Sequence, residues 1–471
     1  MILFLAVAVF VGSEPCRPCH TETAEAYART PMARSSGRVE SVPPAEVTAA
    51  GQRYRIAANR LAFDQGSAAF DYFIGSNSHG RSYLFEREGF LFELPVTWYA
   101  SSQAWDASPG YEKYTEVRLD RPVERNCLLC HASQVRFVRG TQNRYGDPPF
   151  ADNGVGCERC HGPGSEHVRD PVTFPMVTPA ELDPERRDAV CIQCHLSGVS
   201  RVARAGRRLT DFHAGERLAD YVTYFVWDAS HQDLKVTSHV ERLAASGCKR
   251  AAGDKLWCGT CHEPHTNADR TQAACLGCHS RAHHAAEQCA SCHMPKFSAA
   301  DAGHGVFTDH SIPRDPAHRS KAAGHRQLVP FLGTADARAL GIAYAEAGDP
   351  RARGYLLRAQ PADAAVLLRL AVLEQDSRRA AALYEGVLRE EPGNPTALVN
   401  LGALYAAGGR TQDAARLWRR ALETNPAIEG AALNLSQVLP TEQARAVLVQ
   451  YLGFNPGSRA ARSRLAALRH P

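Results

Sequence analysis

The cysteines are the residues whose number and spacing most directly indicate chemistry. Fourteen of the fifteen cysteines fall into seven copies of Cys-x-x-Cys-His. Two thiols three positions apart can each form a thioether to a vinyl group of one haem, and the adjacent histidine then supplies an axial imidazole to the iron. We therefore predict seven covalently attached haems c, each with its iron. The motifs are Cys16/Cys19/His20, Cys127/Cys130/His131, Cys157/Cys160/His161, Cys191/Cys194/His195, Cys258/Cys261/His262, Cys275/Cys278/His279 and Cys289/Cys292/His293.

Other chemistries of paired cysteines account less well for this pattern. A structural zinc site usually pairs two short ligand clusters, and a redox dithiol or a disulfide has no need of a histidine immediately after it. None of these alternatives explains a histidine after all seven pairs. The remaining cysteine, Cys248, is interpreted as a small buried side chain, with a reactive thiol beside Lys249 as the alternative.

The second axial ligands must come from outside the motifs. Thirteen further histidines are present, against four methionines in the whole chain, so most irons are expected to carry two imidazoles and to have low potentials. Met32 is an alternative thioether ligand, although a packing role is favoured. No obvious partner lies near His131 or His195 in the sequence, so these two irons are the candidates for an open coordination position. The further histidines are His79, His167, His213, His231, His239, His265, His283, His284, His304, His310, His318, His325 and His470.

The overall composition is that of a globular protein of about two to four domains. The chain has 471 residues, of which 44% are hydrophobic and 22% charged, and its formal net charge is +4. These values exclude a disordered, collagen-like or nucleic-acid-tail protein, and no nucleic-acid partner is expected. The apolar run of residues 1–11 resembles the core of a secretory signal, so we interpret residues 1–13 as a signal peptide, with a buried N-terminal segment as the alternative. No later stretch is apolar enough to span a bilayer, and we predict a soluble, periplasmic or otherwise exported protein.

Residues 14–315 hold all seven motifs and are expected to form one heptahaem cytochrome c domain. Within it, residues 39–120 show strand-like alternation and a Glu88-Gly89 turn signal, which predicts a small β-rich insert packed against the first haem. The rest has little periodicity, so haem macrocycles are expected to replace the missing apolar core. Residues 316–330 are interpreted as a linker. The expected fold class is mainly α: a haem-packed module with few regular elements, followed by an α-solenoid.

The solenoid is predicted for residues 331–471, which are rich in alanine and leucine and contain neither cysteine nor lysine. Their helical periodicity includes the signature positions of a repeat of about 34 residues, the tetratricopeptide repeat. Three to four repeats are near the minimum that buries a continuous core, and an ordinary helical bundle is the alternative. The signature positions are Leu398, Leu401, Gly402, Tyr405, Ala414, Trp418, Ala421 and Pro426, with Ala380, Tyr384, Val387 and Pro392 one period earlier.

Several stretches resemble a known group of proteins. Residues 154–167, 258–265 and 289–295, together with Ser238-His239 and Asp309-His310, resemble multihaem cytochromes related to the nitrifier tetrahaem cytochrome. The resemblance extends more distantly to hydroxylamine oxidoreductase and multihaem nitrite reductases, and some members of the group carry tetratricopeptide repeats. It implies that His167, His239, His265 and His310 are distal ligands, and that one of His283 or His284 is another.

Two functions fit these expectations. The first is an electron carrier, in which closely spaced haems relay electrons and the solenoid docks a redox partner protein. The second is an oxidoreductase that acts on a small nitrogen or sulfur compound at a five-coordinate haem. The absence of any Cys-x-x-Cys-Lys motif departs from classical pentahaem nitrite reductases and favours the carrier. A weaker third interpretation makes the solenoid a scaffold with the cytochrome as its redox subunit.

Overall fold

The computed structural model of the chain describes residues 9–76, 78–228, 234–279, 288–315 and 327–468. Helices hold 41% of the residues and strands 21%, so the expectation of a mainly α chain is not confirmed. The strands are β1 (Ser36–Arg38), β2 (Ala45–Ala49), β3 (Gln52–Ala57), β4 (Arg60–Phe63), β5 (Gly66–Ala69), β6 (Tyr72–Ile74), β7 (Gly80–Arg87), β8 (Phe90–Tyr99), β9 (Ala104–Ala107), β10 (Ser133–Phe137), β11 (Tyr145–Asp152), β12 (Ser200–Ala203), β13 (Val222–Trp227), β14 (His262–Glu263), β15 (Ala268–Asp269), β16 (Lys296–Ala299), β17 (Ala302–Thr308) and β18 (Leu328–Leu332).

The helices divide into short ones around the haem motifs and longer ones after residue 336. They are α1 (Thr21–Tyr27), α2 (Arg125–His131), α3 (Glu158–His161), α4 (Ser165–Arg169), α5 (Pro184–His195), α6 (His239–Ala244), α7 (Gly247–Ala252), α8 (Cys258–Cys261), α9 (Thr271–Cys278), α10 (Cys289–His293), α11 (Ala337–Glu346), α12 (Ala352–Leu356), α13 (Ala364–Leu373), α14 (Ser377–Glu390), α15 (Pro395–Ala407), α16 (Thr411–Thr424), α17 (Glu429–Val438), α18 (Thr441–Phe454) and α19 (Arg459–Ala467).

The first nine strands form two antiparallel sheets between the first and second haem motifs. One sheet has the order β1-β6-β7-β8-β9 and the other β2-β3-β4-β5. Strand β3 alternates buried and exposed residues, as a half-buried strand should. Glu88 and Gly89 join β7 to β8 with φ values of 56° and 81°, which is the backbone that a tight two-residue hairpin requires. The shared apolar core includes Leu61, Phe70 and Phe92, all fully buried.

Six of the haem motifs lie on short helices, whereas the first begins at Cys16, the last residue of a short 3-10 helix, Glu14–Cys16. Residues three apart lie on the same face of a helix, so each Cys-x-x-Cys pair presents both thiols in one direction. Helices α2, α3, α5 and α10 end at the motif histidine itself, which therefore leaves the helix beside its own thiols. Helix α5 is the longest of these, and it begins where the Asp183 side chain accepts a hydrogen bond from the Arg186 N–H and Pro184 occupies the first turn.

The solenoid is built from α11 to α19, and its signature residues form its core. Ala414 and Ala421 are fully buried, and Trp418 is 3% exposed. The indole Nε1 of Trp418 donates a hydrogen bond to the Val399 carbonyl at 3.1 Å. A Cβ on Gly402 would lie 2.5 Å from that nitrogen, so the close contact between α15 and α16 requires glycine there.

Both ends of the solenoid are attached to the haem-motif segment. At the first end, β18 pairs with β13, and Ile342 of α11 shares a core with Phe225 of β13. Residues 328–330, which the sequence interpretation placed in a linker, belong to β18, and residues 316–326 lie outside the described ranges. At the second end, the Phe454 ring lies 6.4 Å from Phe90 and 6.1 Å from Phe92. The solenoid therefore bridges the β-rich region and the β12-β13-β18 sheet.

Candidate haem-binding cavity

The motif residues line one large cavity. Its volume is about 3260 Å³, and its walls include all seven motif histidines and every motif cysteine except Cys127. Pockets for a single small ligand usually measure about 300–1,000 Å³, so this cavity is large enough for several macrocycles. The walls also include His79, His167, His239, His265 and His310. His213 is not among the wall residues; its ring centroid instead lies 5.1 Å from that of Phe10.

Thiols of different motifs lie next to one another along the cavity. Neighbouring thiols are Cys16 with Cys157, Cys130 with Cys194, Cys191 with Cys258, and Cys275 with Cys289. None of the fifteen cysteines forms a disulfide, and all of them lie in the described residues. The fold therefore brings motifs that are far apart in sequence into contact at their attachment points.

Three pairs of imidazole rings have the separation expected for two ligands of one iron. The ring centroids of His20 and His167 are 6.4 Å apart with an interplanar angle of 21°. Those of His161 and His265 are 5.9 Å apart at 15°, and those of His262 and His310 are 6.3 Å apart at 37°. Two rings bound to opposite sides of a metal, with metal–nitrogen bonds of about 2 Å, place their centroids at such a distance. Each pair joins a motif histidine to one from outside the motifs.

Backbone carbonyls orient several of these rings through their Nδ1 atoms. When Nδ1–H donates to a carbonyl, the ring is fixed and its Nε2 is left free to bind a metal. The Nδ1 atoms concerned lie within 3.0 Å of their acceptors: His161 with Val177, His167 with Phe174, His293 with Pro313 and His310 with Thr308. His265 differs, because its Nδ1 lies 3.2 Å from the Glu263 carboxylate.

The ring of His239 lies between two others. Its centroid is 5.1 Å from that of His195 and 4.7 Å from that of His310, in both cases edge to face. Sequence reasoning found no partner near His195, whereas the fold brings His239 beside it. Burial is the main cause that lowers the pKa of His195 to about 4 and that of His239 to about 3. Both imidazoles are therefore neutral near pH 7, which is the state that binds metals.

His131 is in a different situation. It is half-buried, and its buried Nδ1 has no hydrogen-bond partner within the described residues. No imidazole ring of the described part of the chain stacks or packs against it. The Ser35 hydroxyl oxygen lies 2.7 Å from the Met32 carbonyl and 3.0 Å from the His131 carbonyl. The segment that carries Met32 therefore lies beside the second motif, and Met32 itself lines the cavity.

Six of the histidines outside the motifs, including the expected pair His283 and His284, lie beyond the described residues. The other four are His231, His318, His325 and His470. Cys248 lines the cavity and lies near Cys261 and Cys275. Across the described ranges, no group of three or more His, Cys, Asp or Glu side chains is arranged to hold a metal ion. In the same ranges, no helix combines the length and apolarity needed to cross a membrane.

Sequence reasoning missed two charged residues behind the cavity wall. Glu241 and Arg242 are 8% and 7% exposed and follow His239 on helix α6. Arg242 forms a buried ion pair with Asp309, which directly precedes His310. The only sequence signal was their position next to two expected ligands.

Comparisons with known proteins agree with both halves of this architecture. Residues 97–162 match the family described as cytochrome c554 and c-prime, and residues 371–435 match the tetratricopeptide repeat. Multihaem cytochrome MtrA of Shewanella baltica (strain OS185) is 26% identical over 216 residues, which are 38% of this chain and 62% of that protein.

Two solved structures are also similar to the chain. The outer cell wall cytochrome OcwA aligns with a TM-score of 0.44 and 15% identity, covering 88% of this chain and 99% of that one. A mutant of MamA aligns with a TM-score of 0.25 and 24% identity, covering 28% of this chain and 83% of that one. None of these matches specifically supports the expected relation to the nitrifier and hydroxylamine oxidoreductase group. The cytochrome and repeat matches, taken with the seven attachment motifs, describe a multihaem c-type cytochrome with C-terminal tetratricopeptide repeats.

Proposed function

We propose that this chain is an exported heptahaem cytochrome that relays electrons through mostly bis-histidine haems. The observation that carries the proposal is the set of three imidazole pairs with centroids 5.9–6.4 Å apart. In each pair one ring belongs to an attachment motif, so the thioethers and the first ligand come from one segment and the second ligand from another. The haem irons supply the one-electron chemistry.

The contacts between motif thiols support a definite order of the haems. The proximity of Cys16 to Cys157 supports a first haem beside the third, and that of Cys191 to Cys258 supports a fourth beside the fifth. Cys191 also lies near Cys160, which links the third to the fourth, and Cys275 joins the fifth, sixth and seventh through Cys261 and Cys289. The resulting order is one, three, four, five, six and seven.

The second haem branches from the fourth, because Cys130 neighbours Cys194. An electron that entered at either end of this order would therefore pass only between neighbouring attachment sites.

The surrounding residues keep the imidazole ligands neutral and fixed in orientation. Buried imidazoles such as His195 stay neutral, and carbonyls such as that of Val177 hold the rings in a fixed orientation. Fixed neutral ligands favour fast one-electron exchange, because little has to reorganise when the iron changes its oxidation state. The two-imidazole ligation also places the potentials below those of His/Met haems.

The solenoid is proposed to dock a redox partner protein, as helical repeats commonly bind proteins. Both of its ends are attached to the cytochrome segment, so the partner would have to bind the remaining surface. Export to the periplasm or beyond is part of the proposal, because the haem motifs follow an apolar N-terminal run. The relation to the nitrifier tetrahaem cytochrome remains a hypothesis that rests on the motif stretches alone.

The test combines haem content with electron paramagnetic resonance of the oxidised protein. A pyridine haemochrome assay should give seven haems per chain, and the resonance spectrum should be dominated by low-spin signals. A content well below seven, or mainly high-spin iron, would contradict the relay of bis-histidine haems.

A second candidate function is favoured by His131, which has no imidazole packed against it in the described residues. An iron bound there would have an open position, where a small nitrogen or sulfur compound could react. A high-spin signal that changes when nitrite or hydroxylamine is added would support this oxidoreductase function. If neither compound changes the spectrum, the oxidoreductase function is contradicted and only the electron relay is supported.

A further inference from the structure

Helix α6 lies between two haem attachment regions and carries His239 at its first position. Its next residues include Glu241 and Arg242, which are both buried and charged. Burying a charge is costly unless it is paired and hydrogen-bonded. Two adjacent buried charges of opposite sign on a six-residue helix therefore require an explanation from their partners.

Glu241 holds the segment that follows the fourth motif. Its Oε1 accepts hydrogen bonds from the backbone N–H groups of Gly198 at 2.9 Å and Ser197 at 3.2 Å. These residues come directly after His195-Leu196. Lys235 donates from Nζ to the Gly198 carbonyl at 2.6 Å, so the segment just before α6 binds the same turn.

Arg242 holds the segment that carries His310. Its Nε donates to Asp309 Oδ1 at 2.8 Å, and a second guanidinium nitrogen donates to Asp309 Oδ2. Asp309 Oδ1 also accepts the backbone N–H of Ser311 at 2.8 Å. The side chains of Arg242 and Asp309 are 8% and 4% exposed. A two-pronged guanidinium–carboxylate pair fixes direction as well as distance.

We propose that Glu241, Arg242 and Asp309, here called the α6 bracket, set the relative positions of His195, His239 and His310, and thereby tune the fourth and fifth haems. This inference rests on the proposed relay, in which these imidazoles bind iron. The three residues touch no iron and act as positioning residues. A rotation of α6 would move His239 against both neighbours at once, because its ring lies 5.1 Å from one and 4.7 Å from the other.

The bracket differs from a buried ion pair that only stabilises the fold. The chain offers a matched control in Arg338 and Asp363, a pair with 7% and 21% exposure in which Arg338 also donates to the Ala203 carbonyl at 2.8 Å. Like the bracket it joins distant segments, but neither residue is adjacent in sequence to an expected haem ligand. Asp363→Asn is therefore expected to lower stability without changing any haem signal.

The experiment uses the full-length protein with its haems, compared with Asp309→Asn, Arg242→Lys and Asp363→Asn. Arg242→Lys loses the two-pronged geometry but keeps the charge opposite Asp309, so we expect it to fold even if Asp309→Asn does not. Readouts are the haem content, the g values of the low-spin signals and a potentiometric titration. For both bracket variants we expect seven haems per chain and altered g values for one or two of them. We also expect the reduction equilibrium of these haems to change by up to about tenfold, which shifts the midpoint potential by about 59 mV for one electron.

The outcomes separate this inference from the relay itself. Wild-type protein without low-spin signals would overturn the relay and the bracket together. A normal wild-type spectrum with identical g values and potentials in Arg242→Lys would overturn the bracket alone. The same would follow if Asp363→Asn changed the haem signals as much as the bracket variants did.

Discussion

The contact between Phe454 and the β-rich region gives a direct test of whether the solenoid is fastened to the cytochrome segment. Phe454 is the last residue of α18, yet it is 2% exposed and belongs to the core built by Phe90, Phe92 and their neighbours. Its ring meets both phenylalanines edge to face, and the Arg87 guanidinium lies 5.8 Å from its centroid. The perturbation is Phe454→Ala.

The expected cost follows from burial and from the cavity left behind. Full burial of a phenylalanine side chain contributes about 1.5–3 kcal/mol, and the residual cavity raises the measured cost of truncation to about 3–5 kcal/mol. One end of the solenoid depends on this contact, so the lost free energy should weaken the attachment of the solenoid to the β-rich region. The haem cavity should be unaffected, because its walls do not include Phe454.

Hydrogen–deuterium exchange with mass spectrometry measures this effect locally. Peptides from β8 and from residues 451–459 should lose protection in Phe454→Ala, while the Soret spectrum stays the same. Val449→Ala, on the same helix but 58% exposed, is the control and should change stability by less than about 0.5 kcal/mol. Equal protection in the two variants would refute the attachment of the solenoid through this core.

Three further predictions concern the ligands, the pH dependence and the repeat core. His265→Ala should keep seven haems but convert one low-spin signal to high spin, whereas His213→Ala, outside the cavity wall, should not; equal spectra would contradict the pairing with His161. Burial raises the pKa of the Glu93 carboxyl in the folded protein, against the lowering effect of Arg121. The protonated carboxyl therefore contributes stability that is fully present below the pKa of the unfolded state and is lost as pH rises through the pKa of the folded state. Glu93→Gln should therefore make Tm less dependent on pH above about pH 4. Parallel curves of Tm against pH for the wild-type protein and the variant would contradict this. Trp418→Ala should cost about 3–5 kcal/mol in urea unfolding, and a cost below about 1 kcal/mol would show that the α15–α16 contact is dispensable.

The pairing of the imidazoles illustrates where prediction from sequence stops. Residue types and spacing identify motif histidines such as His161, and a family resemblance suggests outside ligands such as His265. The 104 positions that separate these two residues give no indication that they face each other. Their pairing is a matter of how segments far apart in sequence pack around the cavity, which local spacing does not encode.

The same limit applies to the fourth motif and to the solenoid. His195 had no partner within its own stretch of sequence, whereas α6 places His239 beside it because Glu241 binds the turn after the motif. The repeat periodicity predicted the helices but not their attachment, because Phe454 occupies an ordinary buried helix position in the sequence pattern. Only its contact with Phe92 shows that the buried face continues into another part of the chain.

The sequence alone predicts the chemistry of this protein. Seven Cys-x-x-Cys-His motifs predict covalent haem attachment from local sequence, since two thiols and one imidazole within five residues already provide the bonding groups. The helical repeats are likewise local, because a glycine at Gly402 and a tryptophan at Trp418 encode one helix–helix contact. Tertiary structure decided the rest: which imidazoles face each other, which thiols adjoin, and where the solenoid is attached. These are long-range contacts, set by the packing of the whole chain and not by the spacing within any one segment.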